Sequence, residues 1–166
     1  MDSAKVRERP SAPLIRIAGQ EDVDSLVQLI NAAFVVEQIA IEGDRTDRAG
    51  VQQYMRTGKF LLLEQSGTAL GCVYIEKRGG RGYLGLLSVD PAQQNRGWGR
   101  QLVEAAEQYA REQGLRGMDL RAISARQELL PFYQKLGYAV THTSPMPAGV
   151  PLKIPCHFIH MSKDFS

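Results

Sequence analysis

The chain has 166 residues, a formal net charge of +2 and two cysteines, and 23% of its residues are charged. This length suffices for one domain with a core of its own, while the near-neutral charge argues against nonspecific binding to nucleic acid or membrane surfaces. Apolar runs are too short to cross a bilayer, and the N-terminus lacks the apolar core of a signal peptide. We therefore expect a cytoplasmic protein with neither a nucleic-acid nor a membrane partner.

Residues 1–12 carry scattered charges and predict a loose leader, which leaves residues 13–166 as one predicted domain. Apolar residues in that domain recur at strand or helix spacing between turn residues. In chain order the predicted elements are a strand at 14–18, helices at 23–34 and about 49–56, strands at 60–64, 70–77 and 83–89, a helix from 99 to 114, a strand at 118–122, a helix at 129–136, and strands at 138–142 and 156–161. Residues 35–47 mix apolar and charged side chains and predict no single element.

Hairpin turns join the three central strands. Ser66-Gly67-Thr68 forms the first turn and Gly79-Gly80-Arg81-Gly82 the second. Hairpins pair strands antiparallel, whereas a strand–helix–strand connection pairs them parallel. The sequence therefore predicts an α/β fold, with a mixed central sheet of about six to seven strands flanked by about four helices.

The segment between the third hairpin strand and the next helix predicts a site for a phosphorylated ligand. Asp90-Pro91 ends the strand, because proline cannot donate to a ladder. A polar loop with Gly97 and Gly99 follows, and first-turn amides of a helix lack intrahelical partners and attract anions. The glycines allow a ligand to approach the backbone, and Arg96 and Arg100 add positive charge.

The spacing Gln94-x-x-Gly97-x-Gly99 matches neither the dinucleotide fingerprint nor the Walker A loop. It resembles the acyl-CoA-binding motif Q/R-x-x-G-x-G/A of the GNAT acyltransferase superfamily, in which backbone amides hold the CoA pyrophosphate. The flanking LLSVDP and LVEAA segments strengthen this resemblance, which covers the chain from about residue 13. The alternative is a glycine turn that joins strand to helix and binds nothing.

A second motif, LPFYQKLGY at 130–138, resembles the other GNAT signature. Gly137 is typical of a helix C-terminal cap, and the apolar residues around it are predicted to be core. In the family a tyrosine at the position of Tyr133 lies near the thioester sulfur and protonates the departing thiolate. The resemblance therefore implies that Tyr133 is the general acid; a purely packed tyrosine is the alternative.

The resemblance implies direct transfer of an acetyl group from acetyl-CoA to the amine of a small molecule or peptide, with no metal. It also implies that a backbone amide of the strand end polarises the thioester carbonyl. Homodimers are common for this fold. The residues it assigns to donor binding are Leu87, Ser88, Val89, Gln94, Asn95, Arg96, Gly97, Trp98, Gly99 and Arg100.

The general base is the least defined part of the predicted site. An attacking amine must lose a proton, and family members often carry a glutamate on the strand before the loop. Residues 82–86 hold no carboxylate. Glu37, after the first helix, is the first alternative and Glu76 the second, although a solvated surface carboxylate is the favoured interpretation of both. The missing carboxylate also keeps open a non-catalytic acyl-CoA sensor or scaffold.

Some residues have two interpretations. Asp44 and Arg45 belong either to a turn before the second helix or to the border of the acceptor site. His157 and His160 lie three residues apart, and a strand directs them to opposite faces, so metal binding is not expected. Cys72 lies in a strand-like run and is predicted to be a small buried hydrophobe.

Overall fold

The strands and α-helices follow the predicted order. The computed structural model describes residues 12–166, so the predicted leader, except for its last residue, lies outside the described residues. The elements are β1 (Leu14–Ile17), α1 (Val23–Phe34), α2 (Arg48–Thr57), β2 (Lys59–Gln65), β3 (Thr68–Arg78), β4 (Arg81–Val89), α3 (Trp98–Glu112), β5 (Gly117–Ile123), α4 (Leu129–Lys135), β6 (Ala139–Pro145) and β7 (His157–Asp164). The segment without a prediction begins with a 3-10 helix at Val35–Ile39 and continues as an irregular connection to α2.

One mixed sheet organises this part of the chain. Its seven strands have the order β1-β2-β3-β4-β5-β7-β6, and every neighbouring pair is antiparallel except β4 and β5. The predicted α/β fold with six to seven strands and four helices is thus confirmed over residues 12–166. In the same residues, no helix combines the length and the apolar character needed to cross a membrane.

Both faces of the sheet are covered, so its central strands are apolar on both sides. On β2, Phe60 and Leu62 pack with residues of α1 and α2, while Leu61 and Leu63 pack with residues of α3. Successive side chains of a strand point to opposite faces. The continuous apolar run of β2 therefore contributes to two cores. Each fully buried side chain of this size stabilises the fold by about 1.5–3 kcal/mol.

The parallel pair β4 and β5 diverges at the centre of the sheet. The two strands are paired only at Gly82 with Met118 and at Tyr83 with Asp119. Beyond this point β4 continues for six residues to Val89 and β5 for four residues to Ile123, but the two strands no longer pair with each other. The divergence leaves an opening between the carboxyl ends of the two central strands.

A β-bulge reorients β4 where it borders this opening. Between Gly85 and Ser88, β4 contains one more residue than the paired stretch of β3. Leu86 has φ +51°, a left-handed conformation that costs a non-glycine residue about 1–2 kcal/mol. As a result Leu84 packs in the core under α3, whereas Leu86 packs in the core under α1. Regular alternation would have placed both on the same face.

The end of α4 has the predicted glycine cap. Gly137 has φ +97°, its N–H donates to the Gln134 carbonyl at 3.0 Å, and the Tyr138 N–H donates to the Tyr133 carbonyl at 3.1 Å. These two bonds form a Schellman motif. They fix the direction of the chain after α4 and anchor the helix turn that carries Tyr133.

A buried polar network joins the two helices that carry the sequence motifs. Glu107 of α3 is only 4% exposed and accepts hydrogen bonds from the Tyr138 hydroxyl at 3.1 Å and from Lys163 Nζ at 2.7 Å. Lys163 also donates to the Leu136 carbonyl at 2.8 Å. A buried carboxylate is stable only when it is paired in this way. The network therefore holds α3, the end of α4 and β7 in a fixed arrangement.

Candidate functional site

A cavity of about 490 Å³ occupies the opening between β4 and β5. Its walls come from both strands, from the end of α1 and the connection after it, from α4, and from the loop between β6 and β7. The volume lies in the range of small-molecule sites, and apolar walls with few polar groups are typical of them. The divergence of the central strands thus creates a candidate site for a small molecule.

Tyr133 of α4 lines this cavity and is 5% exposed. The Phe132 and Tyr138 rings contact its ring edge-to-face, with centroids 5.0 and 5.8 Å away. Burial raises the pKa of Tyr133, and the positive charge of Arg126 opposes this only in part. The hydroxyl therefore stays protonated at neutral pH, which a proton donor requires.

Glu37 also lines the cavity, from the 3-10 helix that follows α1. It is 8% exposed, so the favoured interpretation as a solvated surface carboxylate is wrong. Its Oε2 accepts a hydrogen bond from Arg126 Nη1 at 3.0 Å. Burial raises the pKa of Glu37, although Arg126 and Arg45 counteract the rise. A carboxylate with a raised pKa is a better proton acceptor than an ordinary surface glutamate.

Glu76, the second candidate base, lies outside the cavity lining. It accepts a hydrogen bond from the Tyr74 hydroxyl and one from Arg78 Nε. Burial favours a higher pKa for Glu76, but these hydrogen bonds outweigh burial and lower the pKa. Glu76 is therefore a hydrogen-bond partner of two cavity-lining side chains and does not itself line the cavity.

The loop before α3 contains an open backbone turn. Gly97 has φ +80° and precedes the first residue of α3, and no atom lies within 4 Å of the place a Cβ would occupy. Asn95 also has a positive φ, +66°. Gly99 differs from the expectation of a ligand-facing glycine, because a Cβ there would lie 3.4 Å from Phe132. A Cβ at Gly99 would thus be in van der Waals contact with α4, whereas Gly97 leaves space open to a ligand.

Leu87, Ser88 and Gln94, which were also assigned to donor binding, differ in their exposure and in their hydrogen bonds. Leu87 lines the cavity, while Ser88 is 1% exposed and its hydroxyl donates to the Leu86 carbonyl at 2.8 Å. The Ser88 hydroxyl is therefore engaged in a hydrogen bond within the bulge, so only the backbone of Ser88 is available to a ligand. Gln94 Nε2 donates to the Val89 carbonyl at 3.4 Å.

Arg96, Arg100 and Trp98 of the same segment differ in their exposure and in their interaction partners. Arg96 is exposed, while Arg100 forms an exposed ion pair with Glu104 at 2.9 Å. Trp98 packs partly buried against the core under α3. Its Nε1 is the one buried side-chain nitrogen or oxygen without a hydrogen-bond partner among residues 12–166. Leaving such a donor unpaired costs about 1–3 kcal/mol, which is a reason to expect a partner there.

Asp44 and Arg45 line the outer part of the cavity. The cap of α2 is Asp47, whose carboxylate accepts from the Gly50 N–H at 2.8 Å, so the cluster at 43–46 is not needed as a cap. The Arg45 guanidinium lies 5.5 Å from the centre of the Phe34 ring. Both residues are thus at the position expected for the border of an acceptor site.

His160 packs against a second histidine, and Cys72 is buried in the core. The His160 ring stacks on the His142 ring, with centroids 4.1 Å apart, and its Nε2 lies 2.7 Å from the Ser144 hydroxyl. No three His, Cys, Asp or Glu side chains of residues 12–166 are grouped so that they could hold a metal ion. Cys72 is fully buried, as predicted, and burial raises its pKa to about 12.

Comparison with known proteins agrees with the two sequence motifs. The sequence profile of the acetyltransferase (GNAT) family matches residues 23–138. A mycothiol acetyltransferase from Propionibacterium freudenreichii is 31% identical over 130 residues, which cover 74% of this chain and 42% of that protein. The chain thus spans less than half the length of this relative.

Solved structures show the same fold. The ribosomal-protein-S18-alanine N-acetyltransferase from Escherichia coli superposes with a TM-score of 0.76 at 17% identity, covering 93% of this chain and 95% of that one. A Bacillus anthracis protein in complex with acetyl coenzyme A gives 0.71 at 16% identity, covering 94% of this chain and 100% of that one. Identities this low establish the fold alone. With the match to the family profile over residues 23–138, the chain belongs to the acetyltransferase (GNAT) family.

Proposed function

We propose that the protein transfers an acetyl group from acetyl-CoA to the amine of a small molecule or peptide. The observation that carries this proposal is one cavity lined by both a protonated hydroxyl, Tyr133, and a buried carboxylate, Glu37. A proton donor and a proton acceptor are the two groups that this reaction requires. The name of the Escherichia coli structural relative, which specifies an N-acetyltransferase for alanine of a ribosomal protein, supports an amine as acceptor.

The surroundings of the cavity support binding of the donor. Gly97 opens the backbone at the N-terminus of α3, where amides and the helix dipole favour the anionic pyrophosphate. The bulge at Leu86 changes the direction of β4 just before Leu87–Val89, whose backbone amides would polarise the thioester carbonyl.

The residues divide the proton transfers of the reaction between them. Glu37 takes a proton from the acceptor ammonium, and the freed nitrogen attacks the thioester carbonyl carbon. As the new C–N bond forms, the C–S bond breaks, and the thiolate takes the proton of the Tyr133 hydroxyl. The nitrogen then loses its second proton, which returns through solvent to the Tyr133 phenolate, and Glu37 releases its proton to solvent. The products are an amide and CoA, and each proton transfer contributes roughly 10²–10⁴-fold to the rate.

The test is acetyl-CoA turnover with a panel of small amines and peptides. We expect acetyl-CoA to raise the thermal stability, and we expect CoA thiol to be released only when an accepted amine is present. A sensor or scaffold would bind acetyl-CoA and release no thiol. A single domain over residues 13–166, a cytoplasmic location and a homodimer stay predictions from the sequence.

Replacing Gly97 with alanine is expected to weaken acetyl-CoA binding about tenfold. Alanine at φ +80° is strained by about 1–2 kcal/mol, so the loop leaves its open conformation and binding must restore it. Gly114→Ala is the matched control, since Gly114 has φ +75° and open space but lies just beyond the other end of α3. Calorimetric titration should show a higher Kd only for Gly97→Ala. Equal Kd values in the two variants would contradict the loop assignment.

A further inference from the structure

Arg126 joins two segments of the chain that line the cavity. It lies in the connection between β5 and α4 and is 19% exposed. Its Nη1 is 3.0 Å from Glu37 Oε2, although the two residues are 89 positions apart in the chain. Its Nε is 2.7 Å from Glu128 Oε1. The guanidinium is therefore oriented by one exposed and one buried carboxylate.

Glu37 depends on this guanidinium as its counterion. The charged groups that act on Glu37 are Arg126, Arg45 and Glu128, of which only Arg126 forms a hydrogen bond to it. The Arg126 guanidinium lies 6.0 Å from the centre of the Phe34 ring, and the Glu37 carboxylate itself is buried. Removal of one partner of a buried ion pair leaves the other charge uncompensated.

The same guanidinium also influences Tyr133. Its positive charge opposes the rise that burial causes in the pKa of Tyr133. Arg126 thus acts in the same direction on both cavity groups, because it favours the anion of each. Neither sequence motif contains Arg126, and no feature of residues 124–128 indicates this role.

We propose that Arg126 is a positioning residue that holds Glu37 in place, as a carboxylate, in the wall of the cavity that Tyr133 also lines. The inference rests on the proposed function, in which Glu37 accepts the proton of the acceptor. Glu128 keeps the guanidinium in place through the second ion pair. When an acceptor ammonium approaches Glu37, Arg126 therefore retains a compensating carboxylate.

The test is the pH dependence of kcat/KM for the full chain with Arg126→Met. Without the guanidinium, burial raises the pKa of Glu37 further, so the acidic limb should move to higher pH by about one unit or more. Activity should fall at least tenfold near the acidic limb and recover at alkaline pH. Arg126→Lys keeps the charge without the planar fork and should give a smaller shift in the same direction.

Glu128→Gln is the matched control. It removes the other carboxylate partner of Arg126 and leaves the bond to Glu37 intact, and loss of its negative charge should move the limb slightly to lower pH. A shift in opposite directions for the variants at positions 126 and 128 is the expected result. If Arg126→Met does not fold, the direction of the shift in Arg126→Lys decides.

Two results separate this inference from the proposed function. If Arg126→Met lowers activity equally at every pH, or Arg126→Lys alone folds and shows no shift, Arg126 is merely structural and the inference is overturned. If Glu37→Gln retains full activity at every pH, the base assignment itself is overturned. If Glu37→Gln loses activity but the acidic limb does not move in the Arg126 variants, the proposed function stands and the inference about Arg126 is overturned.

Discussion

Tyr133→Phe is expected to lower kcat for acetyl transfer about 100-fold and to leave KM for acetyl-CoA within about twofold. The substitution keeps the ring that packs between Phe132 and Tyr138 and removes only the hydroxyl. The departing thiolate must then take its proton from water instead of from a positioned hydroxyl. Steady-state release of CoA thiol, with an accepted amine, measures both parameters.

Tyr138→Phe is the control for this experiment. Its hydroxyl donates to Glu107 in the buried network and does not line the cavity. Urea unfolding should show a loss of about 1 kcal/mol, while kcat stays within about twofold. Wild-type turnover by Tyr133→Phe, or the same loss of kcat in both variants, would contradict the assignment of Tyr133 as proton donor.

Glu37→Gln is expected to lower kcat/KM at neutral pH about 100- to 1000-fold and to abolish the acidic limb of the pH profile. Burial raises the pKa of Glu37 above the ordinary value, so the wild-type rate should fall as pH falls through that raised pKa and the carboxylate becomes protonated. Glutamine accepts no proton at any pH. The residual rate should therefore increase with pH only as the free amine itself deprotonates.

Glu42→Gln provides the matched substitution for Glu37. Glu42 also lines the cavity, but it is exposed and forms no ion pair with another residue of the described chain. Its substitution should change kcat/KM less than twofold. A wild-type pH profile in Glu37→Gln would mean that the amine loses its proton to another group or to water, and would remove Glu37 from the mechanism.

Much of the fold follows from local signals in the sequence. Asp90-Pro91 ends a strand and Gly137 ends a helix because the backbone chemistry of those residues permits little else. The hairpin turns fix three consecutive antiparallel strands, which is why the mixed sheet is predictable. The left-handed conformation of Gly97 is a similarly local property, because glycine adopts it without a steric cost.

The features that the sequence did not reveal depend on distant contacts. Glu37 is buried because the walls of the cavity and Arg126, 89 residues away, enclose it. The positive φ of Leu86 arises from the mismatch between β3 and β4, and nothing in an apolar run indicates it. Gly99 faces Phe132 only because α4 packs beside α3. Tertiary packing, rather than local propensity, determines these positions.

The most direct measurement of the central claim is mass spectrometry of a reaction that contains the protein, acetyl-CoA with a ¹³C-labelled acetyl group, and the amine panel. We expect labelled amide on at least one amine, in an amount equal to the CoA thiol released, with both products reduced in Tyr133→Phe and Glu37→Gln. Acetyl-CoA that raises the thermal stability but remains intact with every amine would contradict it, and would favour a binding module of the same fold.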